Sequence, residues 1–317
     1  MAEQRHVPVL YQQVLEYLTP RRGGVYVDCT LGFAGHASAI ARCLGPEGHL
    51  IGFDRDPQAM ALAETRLKEL AVELGDTMPR VTLHGEPFSR IAEFVSAGSA
   101  DGILADFGVS SMQLDQPERG FSFQADGPPD MRQDTRQRVT AEQVVNEMDE
   151  KQLANLIYEY GEERRSWRIA RAIVRARPLA STSQLAKVVA GSAQSISKER
   201  IHPATRTFQA LRIYVNRELD EMRELMEAVP RLLRPAGRVV AISFHSLEDR
   251  IVKDALRAGA AEGVWDVLTK KPVTANEEEM ARNPRARSAK LRAAAKMEDG
   301  QRREKKFKRE QSVWPAM

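Results

Sequence analysis

The first third of the chain alternates between short apolar runs and segments of helical spacing. Val25–Val27 is rich in β-formers and predicts a buried strand. Ala37–Leu44 then sets Ile40, Ala41 and Leu44 on one side and predicts a helix. His49–Phe53 predicts a second strand, running into the acids Asp54 and Asp56. Pro57 takes the first position of a long amphipathic helix, Gln58–Leu74, with Leu62, Leu67, Leu70 and Leu74 inward. Val81–His84 and Asp101–Asp106 predict a third and a fourth strand. Strands alternating with helices predict an α/β sheet domain.

The pattern changes at Leu114. Gln116–Phe123 and Asp126–Arg132 read as one long loop, a length uncommon without a function. Helical stretches follow with no strand between them: Thr140–Glu147, Asp149–Tyr160, Glu163–Ala176 and Ser183–Ala190. They predict an all-helical insertion in the sheet domain. Phe208–Leu233 predicts one long helix, with Leu211, Val215, Leu219, Met222, Met226 and Leu233 inward. Arg238–Phe244 is a fifth strand, and Trp265–Val273 and Arg287–Ala293 read as closing strands. The expected organisation is a sheet domain in two parts, 1–113 and 206–295. Residues 114–205 form the insertion, and 296–317 a mobile basic tail.

The candidate chemistry sits where the first strand ends. Thr30–Gly35 is a small-residue turn between strand and helix, the form in which an α/β fold offers a helix N-terminus to a ligand. Asp28 closes the strand beside it. Asp54 follows about twenty residues beyond the turn, where an acid accepts the hydroxyls of a ribose. A nucleoside cofactor is therefore expected. The turn lacks G-x-G-x-x-G, which a pyrophosphate requires, and an acid at Asp28 suits a cation. Both point to S-adenosylmethionine rather than a dinucleotide. Asp106 ends its strand at the same sheet edge and is a candidate for direct work on cofactor or substrate. Phe88, in a loop, is either a lid on an adenine ring or a local core plug.

Charge adds a second theme. The net charge is only +3, yet Arg282–Glu310 holds twelve Lys or Arg against four Asp or Glu. That asymmetry suits a polyanion, with a solvated tail as the alternative. Arg164, Arg168, Arg171 and Arg175 share one helical face, with Trp167, Ile169, Ala170, Ile173 and Val174 on the others. The row suits RNA phosphates, or a surface helix paired with Glu159, Glu162 and Glu163.

A hydrophobic fraction of 42% suffices for a full core. Two cysteines, Cys29 and Cys43, make no disulfide framework and suggest a reducing cytoplasm. No apolar run approaches the roughly 20 residues of a membrane span, and Met1–Pro8 has no signal-peptide core. A soluble cytoplasmic protein, with no membrane partner, is expected. The histidines His6, His36, His49, His84, His202 and His245 show no ligand spacing, so no metal is expected.

Several blocks, in order, resemble one family. They are Asp28–His36, Phe53–Pro57, Asp106–Ser111, Arg119–Phe123, His202–Ala210, Ser243–Arg250 and Asn283–Ser288. From about His6 to Arg292 the chain is similar to the MraW family of 16S rRNA cytosine-N4 methyltransferases. The resemblance implies a class I S-adenosylmethionine-dependent methyltransferase sheet with an inserted helical domain for RNA recognition. It implies methyl transfer to the exocyclic N4 of a P-site cytidine in 16S rRNA of the small ribosomal subunit. Cofactor contacts would fall on Ala34, Gly35, His36, Asp54, Phe88, Asp106 and Gln113. The family commonly has glycine at the position of Ala34, which leaves this turn less free. Asp106 and His245 are the candidate catalytic residues, with Asp249 beside them. Asp106 would orient either the amine or the cofactor. His245 is either the proton acceptor or a helix-start residue bonded to backbone. Phe121 and Phe123 are candidate platforms for an unstacked base, or loop packing. A monomer and a homodimer both fit. Two rivals stand: a nicotinamide-dependent oxidoreductase, and an RNA-binding module that has kept only the pocket.

Overall fold

The computed structural model describes residues 8–192 and 202–298. The chain divides into two compact units, Met1–Gly108 with Glu221–Met317, and Val109–Asp220. The first opens with α1 (Tyr11–Leu18), β1 (Val25–Asp28), α2 (Gly35–Leu44), β2 (His49–Phe53) and α3 (Pro57–Leu74). β3 (Arg80–His84), a short α4 (Ile91–Phe94) and β4 (Ala100–Asp106) complete its first part. The signals at α3 act as expected: Pro57 starts the helix, and the Gln58 N–H donates to the Asp56 carboxylate at 3.0 Å.

The second unit is helical: α5 (Ser111–Asp115), α6 (Ala141–Glu147), α7 (Glu150–Gly161), α8 (Ser166–Ala176), α9 (Thr182–Ser192) and α10 (Ala204–Asn216). Thr140 and Gln143 form a reciprocal capping box at the start of α6. The chain returns to the first unit through α11 (Glu218–Leu232), β5 (Leu233–Ser243), α12 (Ser246–Ala261), β6 (Trp265–Val267), α13 (Glu277–Arg282) and β7 (Lys290–Lys296).

The seven strands form one sheet in the order β3-β2-β1-β4-β5-β7-β6. β1 to β5 are parallel, and β7 runs antiparallel to both β5 and β6. This is the arrangement of class I S-adenosylmethionine-dependent methyltransferases. The order reverses between β1 and β4, and ligands of open α/β sheets bind at such a point, outside the carboxyl ends of the strands. β4 is buried along its whole length except at Asp106, as a central parallel strand covered on both faces must be. Tyr26, Ile40, Leu44, Leu50, Leu104 and Val240 centre the core.

The structure departs from the sequence expectation in several places; on α3, Leu62, expected inward, is 43% exposed, while Leu67 and Leu70 carry the buried stripe. Phe208–Leu233 is two helices, because Arg217 is left-handed (φ 52°). The buried Asn216 fixes the break. It donates to the Met131 carbonyl at 2.7 Å and accepts from the Gln133 N–H at 2.7 Å. Apolar spacing on both sides of the break hid it. The first of the two, α10, packs Phe208, Leu211 and Val215 into the helical core with Leu153, Ile169 and Leu185. The unit boundary therefore lies at Asp220 rather than near residue 206. Finally, the expected strand Trp265–Val273 stops at Val267, and β7 begins only at Lys290. The intervening α13, capped by Asn276, was not expected. The basic tail beyond 298 and the basic stretch Lys198–Arg200 lie outside the described residues.

Candidate active site

The turn after β1 is held by backbone bonds to the neighbouring strands. Cys29 N–H donates to the Leu104 carbonyl of β4 at 2.8 Å, and Leu31 N–H to the Phe53 carbonyl of β2 at 2.9 Å. Gly32 is left-handed (φ 50°), which costs glycine nothing, and its N–H donates to Asp54 Oδ2 at 2.8 Å. Ala34 precedes α2 and is also left-handed (φ 55°), a conformation that strains an alanine. A Cβ on Gly35 would lie 2.5 Å from Pro8 Cγ, so the segment ahead of α1 is what requires glycine there. The N-cap side chain does not close α2, and the Ala37 N–H is taken by Asp28, which leaves the Gly35 and His36 N–H groups of the first turn to an anion.

Four carboxyl groups converge on this edge. Asp28 is fully buried and accepts from the Thr30 N–H at 3.1 Å. Burial pushes its pKa up to about 7, and the charge of Asp54 adds to the rise. Asp54 accepts from the Asp56 N–H at 2.9 Å as well as from Gly32, and burial raises it to about 6. Asp106 is raised well above the ordinary range, first by burial and then by the charges of Asp28 and Glu248. Its backbone N–H donates to Thr30 Oγ1 at 2.6 Å, while its Oδ1 has no hydrogen-bond partner among the described residues. The fourth, Glu248, is buried and accepts from the Phe244 N–H at 2.6 Å and the His245 N–H at 3.2 Å.

His36 lies among these acids. It is buried, with the Val9 backbone as the one polar group that offsets part of the burial. Its Nε2 is 3.7 Å from Asp106 Oδ2. Burial lowers its pKa to about 4, so the imidazole is neutral at ordinary pH.

The structure thus brings together Asp28, His36 and Asp106, and joins Asp54 to the turn at Gly32. Phe88 is half-buried on the same unit, edge-on to Phe107 with ring centroids 5.7 Å apart. Gln113 belongs to the helical unit, where it closes a capping box with Ser110. His245 is the N-cap of α12: its Nδ1 accepts from the Glu248 N–H at 3.4 Å, and its Nε2 lies 3.0 Å from Glu248 Oε1. Asp249 is held by Arg292 at 2.6 and 3.2 Å. Burial pulls its pKa up, but Arg292 and Lys290 outweigh this and set it below the usual range.

In the helical unit Phe121 is a buried core residue. Phe123 packs on His202 and Phe208 at 4.7 and 4.9 Å. Loop packing accounts for both rings. Two site residues were not singled out from sequence. Thr30 tethers Asp106, and Glu248 raises its pKa; the capping-box spacing from His245 to Glu248 was the available signal.

Residues 3–297 match the MraW methylase family. The ribosomal RNA small subunit methyltransferase H of Acidobacterium capsulatum is 64% identical over 296 residues, covering 93% of this chain and 100% of that protein. The protein of the same name from Koribacter versatilis is 56% identical over 293 residues, covering 92% and 94%. A similar protein from Sorangium cellulosum is 50% identical over 301 residues, 93% of this chain and 91% of its own length. Matched over residues 3–297 and 64% identical to a relative that it covers end to end, this chain belongs to the MraW methylase family.

Proposed function

We propose that this chain transfers a methyl group from S-adenosylmethionine to the exocyclic N4 of a P-site cytidine in 16S rRNA, with the small ribosomal subunit as substrate. The observation that carries the reading is the unpartnered Asp106 Oδ1, 3.7 Å on its other oxygen from a buried neutral His36, at the switch point of the sheet.

The residues fit the cofactor. Its ammonium and sulfonium suit an edge bearing Asp28, Asp54, Asp106 and Glu248, and its carboxylate suits the Gly35 and His36 N–H groups in the first turn of α2. Each Asp54 oxygen makes one backbone hydrogen bond, which leaves acceptor capacity for a ribose diol. Phe88 supplies an apolar face for adenine. The backbone at Ala34, Gly35 and His36 lines the turn, and the family resemblance adds Gln113 as a contact. No helix among the described residues is long and apolar enough to cross a membrane.

When bound, the cofactor supplies an electrophilic methyl. The chain's own task is to prepare a poor nucleophile, since the N4 lone pair is delocalised into the cytosine ring. Beside a cationic ligand Asp106 ionises despite its burial. Its Oδ1 then accepts a hydrogen bond from the amine, which favours a pyramidal nitrogen and fixes its line of approach. The same carboxylate takes the proton that the methylated amine sheds. His36 stays neutral and so leaves the negative charge of Asp106 uncancelled. His245 uses its Nδ1 lone pair as the helix cap, so in the neutral ring the proton sits on Nε2, beside Glu248, and the residue suits a positioning role rather than that of the acceptor.

The test is to incubate the purified protein with labelled cofactor and small subunits from a strain lacking this activity, then identify the methylated nucleoside by mass spectrometry. N4-methylcytidine at one position is expected. Absence of label, or label on another atom, overturns the reading.

A further inference from the structure

α8 carries more charge, and more exposed aromatic surface, than a packing helix needs. Arg164 to Arg177 contains six arginines and no acidic residue. The buried stripe of α8 is Ser166, Ile169, Ala170 and Ile173, and Arg168, Arg171 and Arg175 face solvent opposite it. Arg164 is exposed just ahead of the helix. Nearby acids account for part of this charge. Glu150 pairs with Arg171 at 3.1 Å, and Glu163 lies 3.9 Å from Arg165 and 3.5 Å from Arg206. Arg177 is spent on the carbonyls of Val145 and Met148. Arg164, Arg168 and Arg175 make no ion pair among the described residues. Exposed Glu159 and Glu162 also lie in this region.

Trp167 was expected on the apolar side, yet it is 50% exposed, and Tyr158 is 62% exposed. Neither ring stacks on another ring or a guanidinium among the described residues. Tyr158 is in the last turn of α7 and Trp167 in the first turn of α8, so both stand at the same end of the α7–α8 hairpin. Free guanidiniums beside unpaired aromatic faces are what a single-stranded nucleic acid needs. The cations follow phosphates, and the rings stack on bases that a duplex would hide.

We propose that this end of the α7–α8 hairpin, together with the exposed face of α8 that runs from it, docks an unpaired stretch of RNA, with Arg164, Arg168 and, in the last turn of α8, Arg175 on phosphates and Trp167 and Tyr158 on base faces. It rests on the RNA-substrate reading above and adds the strand state of the RNA and the residues that grip it.

The test uses the full chain, a labelled unstructured RNA oligonucleotide, and the same strand annealed to its complement. Trp167→Ala and Tyr158→Ala should each weaken single-strand binding about ten-fold. Duplex binding and the salt slope should stay unchanged, and Trp167→Phe should restore most of the affinity. The triple variant Arg164→Gln, Arg168→Gln, Arg175→Gln should lower the single-strand salt slope by about 2, at roughly 0.7 per phosphate contact. Unaltered unfolding temperatures certify these exposed substitutions. Equal losses on single strand and duplex, or no loss in the aromatic variants, overturn the proposal. Methyl transfer to small subunits is read in parallel. Methylation with wild-type oligonucleotide binding in every variant removes this surface alone. The stated pattern of losses, without any methylation, supports the surface and removes the activity reading.

Discussion

Cofactor binding should release protons, and Asp28 gives the size of the effect. In the ligand-free protein this buried carboxyl titrates at about 7, because burial disfavours its charge. A ligand with two cationic centres bound at the same edge favours the ionised form. The affinity of the free protein is then scaled by the fraction of Asp28 already ionised. That fraction is about a tenth at pH ~6 and about nine tenths at pH ~8, so affinity rises roughly ten-fold across the interval. Asp54, at about 6, acts in the same direction and carries the dependence lower. Calorimetry near neutrality, in buffers of different ionisation enthalpy, should find a net release on the order of one proton per cofactor bound. Asp28→Asn should remove the share of the pH dependence centred near 7 and leave the shares of Asp54 and Asp106.

Stability runs the opposite way. The folded pKa of Asp28 lies above its ordinary value of 3.8, so its contribution is fully present below about pH 4 and is lost as pH rises toward 7. The loss is on the order of 4 kcal/mol for a shift of this size. Asp28→Asn should therefore raise the unfolding temperature of the cofactor-free protein at alkaline pH while weakening cofactor binding. A flat affinity profile with no buffer dependence of the heat, together with an Asp28→Asn variant no more stable than the parent, would refute the reasoning.

Three further outcomes are expected. Asp106→Asn should lower kcat by about a thousand-fold, the order expected for a lost proton acceptor, with cofactor affinity within about ten-fold of wild type; a near-normal rate in single-turnover assays removes Asp106 from the chemistry. Asp54→Asn should weaken cofactor binding about thirty-fold by calorimetry, corresponding to about 2 kcal/mol for charge-assisted hydrogen bonds, and an unchanged dissociation constant excludes the ribose role. Ala34→Gly relieves left-handed strain of about 1 kcal/mol. It also loses a buried methyl and adds chain entropy. Denaturant unfolding should thus change by no more than about 1 kcal/mol, whereas the β-branched Ala34→Val should unfold at clearly lower denaturant.

What the sequence determined by itself was everything carried by local spacing. The strand ends at Asp28, Asp54 and Asp106, the Pro57 start of α3, the Thr140 start of α6 and the helical character of the insertion were all legible, because each is set within a turn or two of chain. Apolar periodicity cannot report a break whose cause is distant. The split at Arg217 depends on Asn216 reaching Met131 and Gln133, so the sequence read one helix there. The exposure of Trp167 followed the same logic: its spacing fits an apolar face, and only the packing of α7 against α8 left the ring outside. At the site, spacing supplied the acids but not their state. That the carboxyls of Asp28 and Asp106 are harder to ionise than usual, that His36 stays neutral 3.7 Å from Asp106, and that Glu248 joins them are consequences of mutual burial. Only the folded sheet, by bringing three strand ends and two helix starts into one water-poor edge, sets that balance.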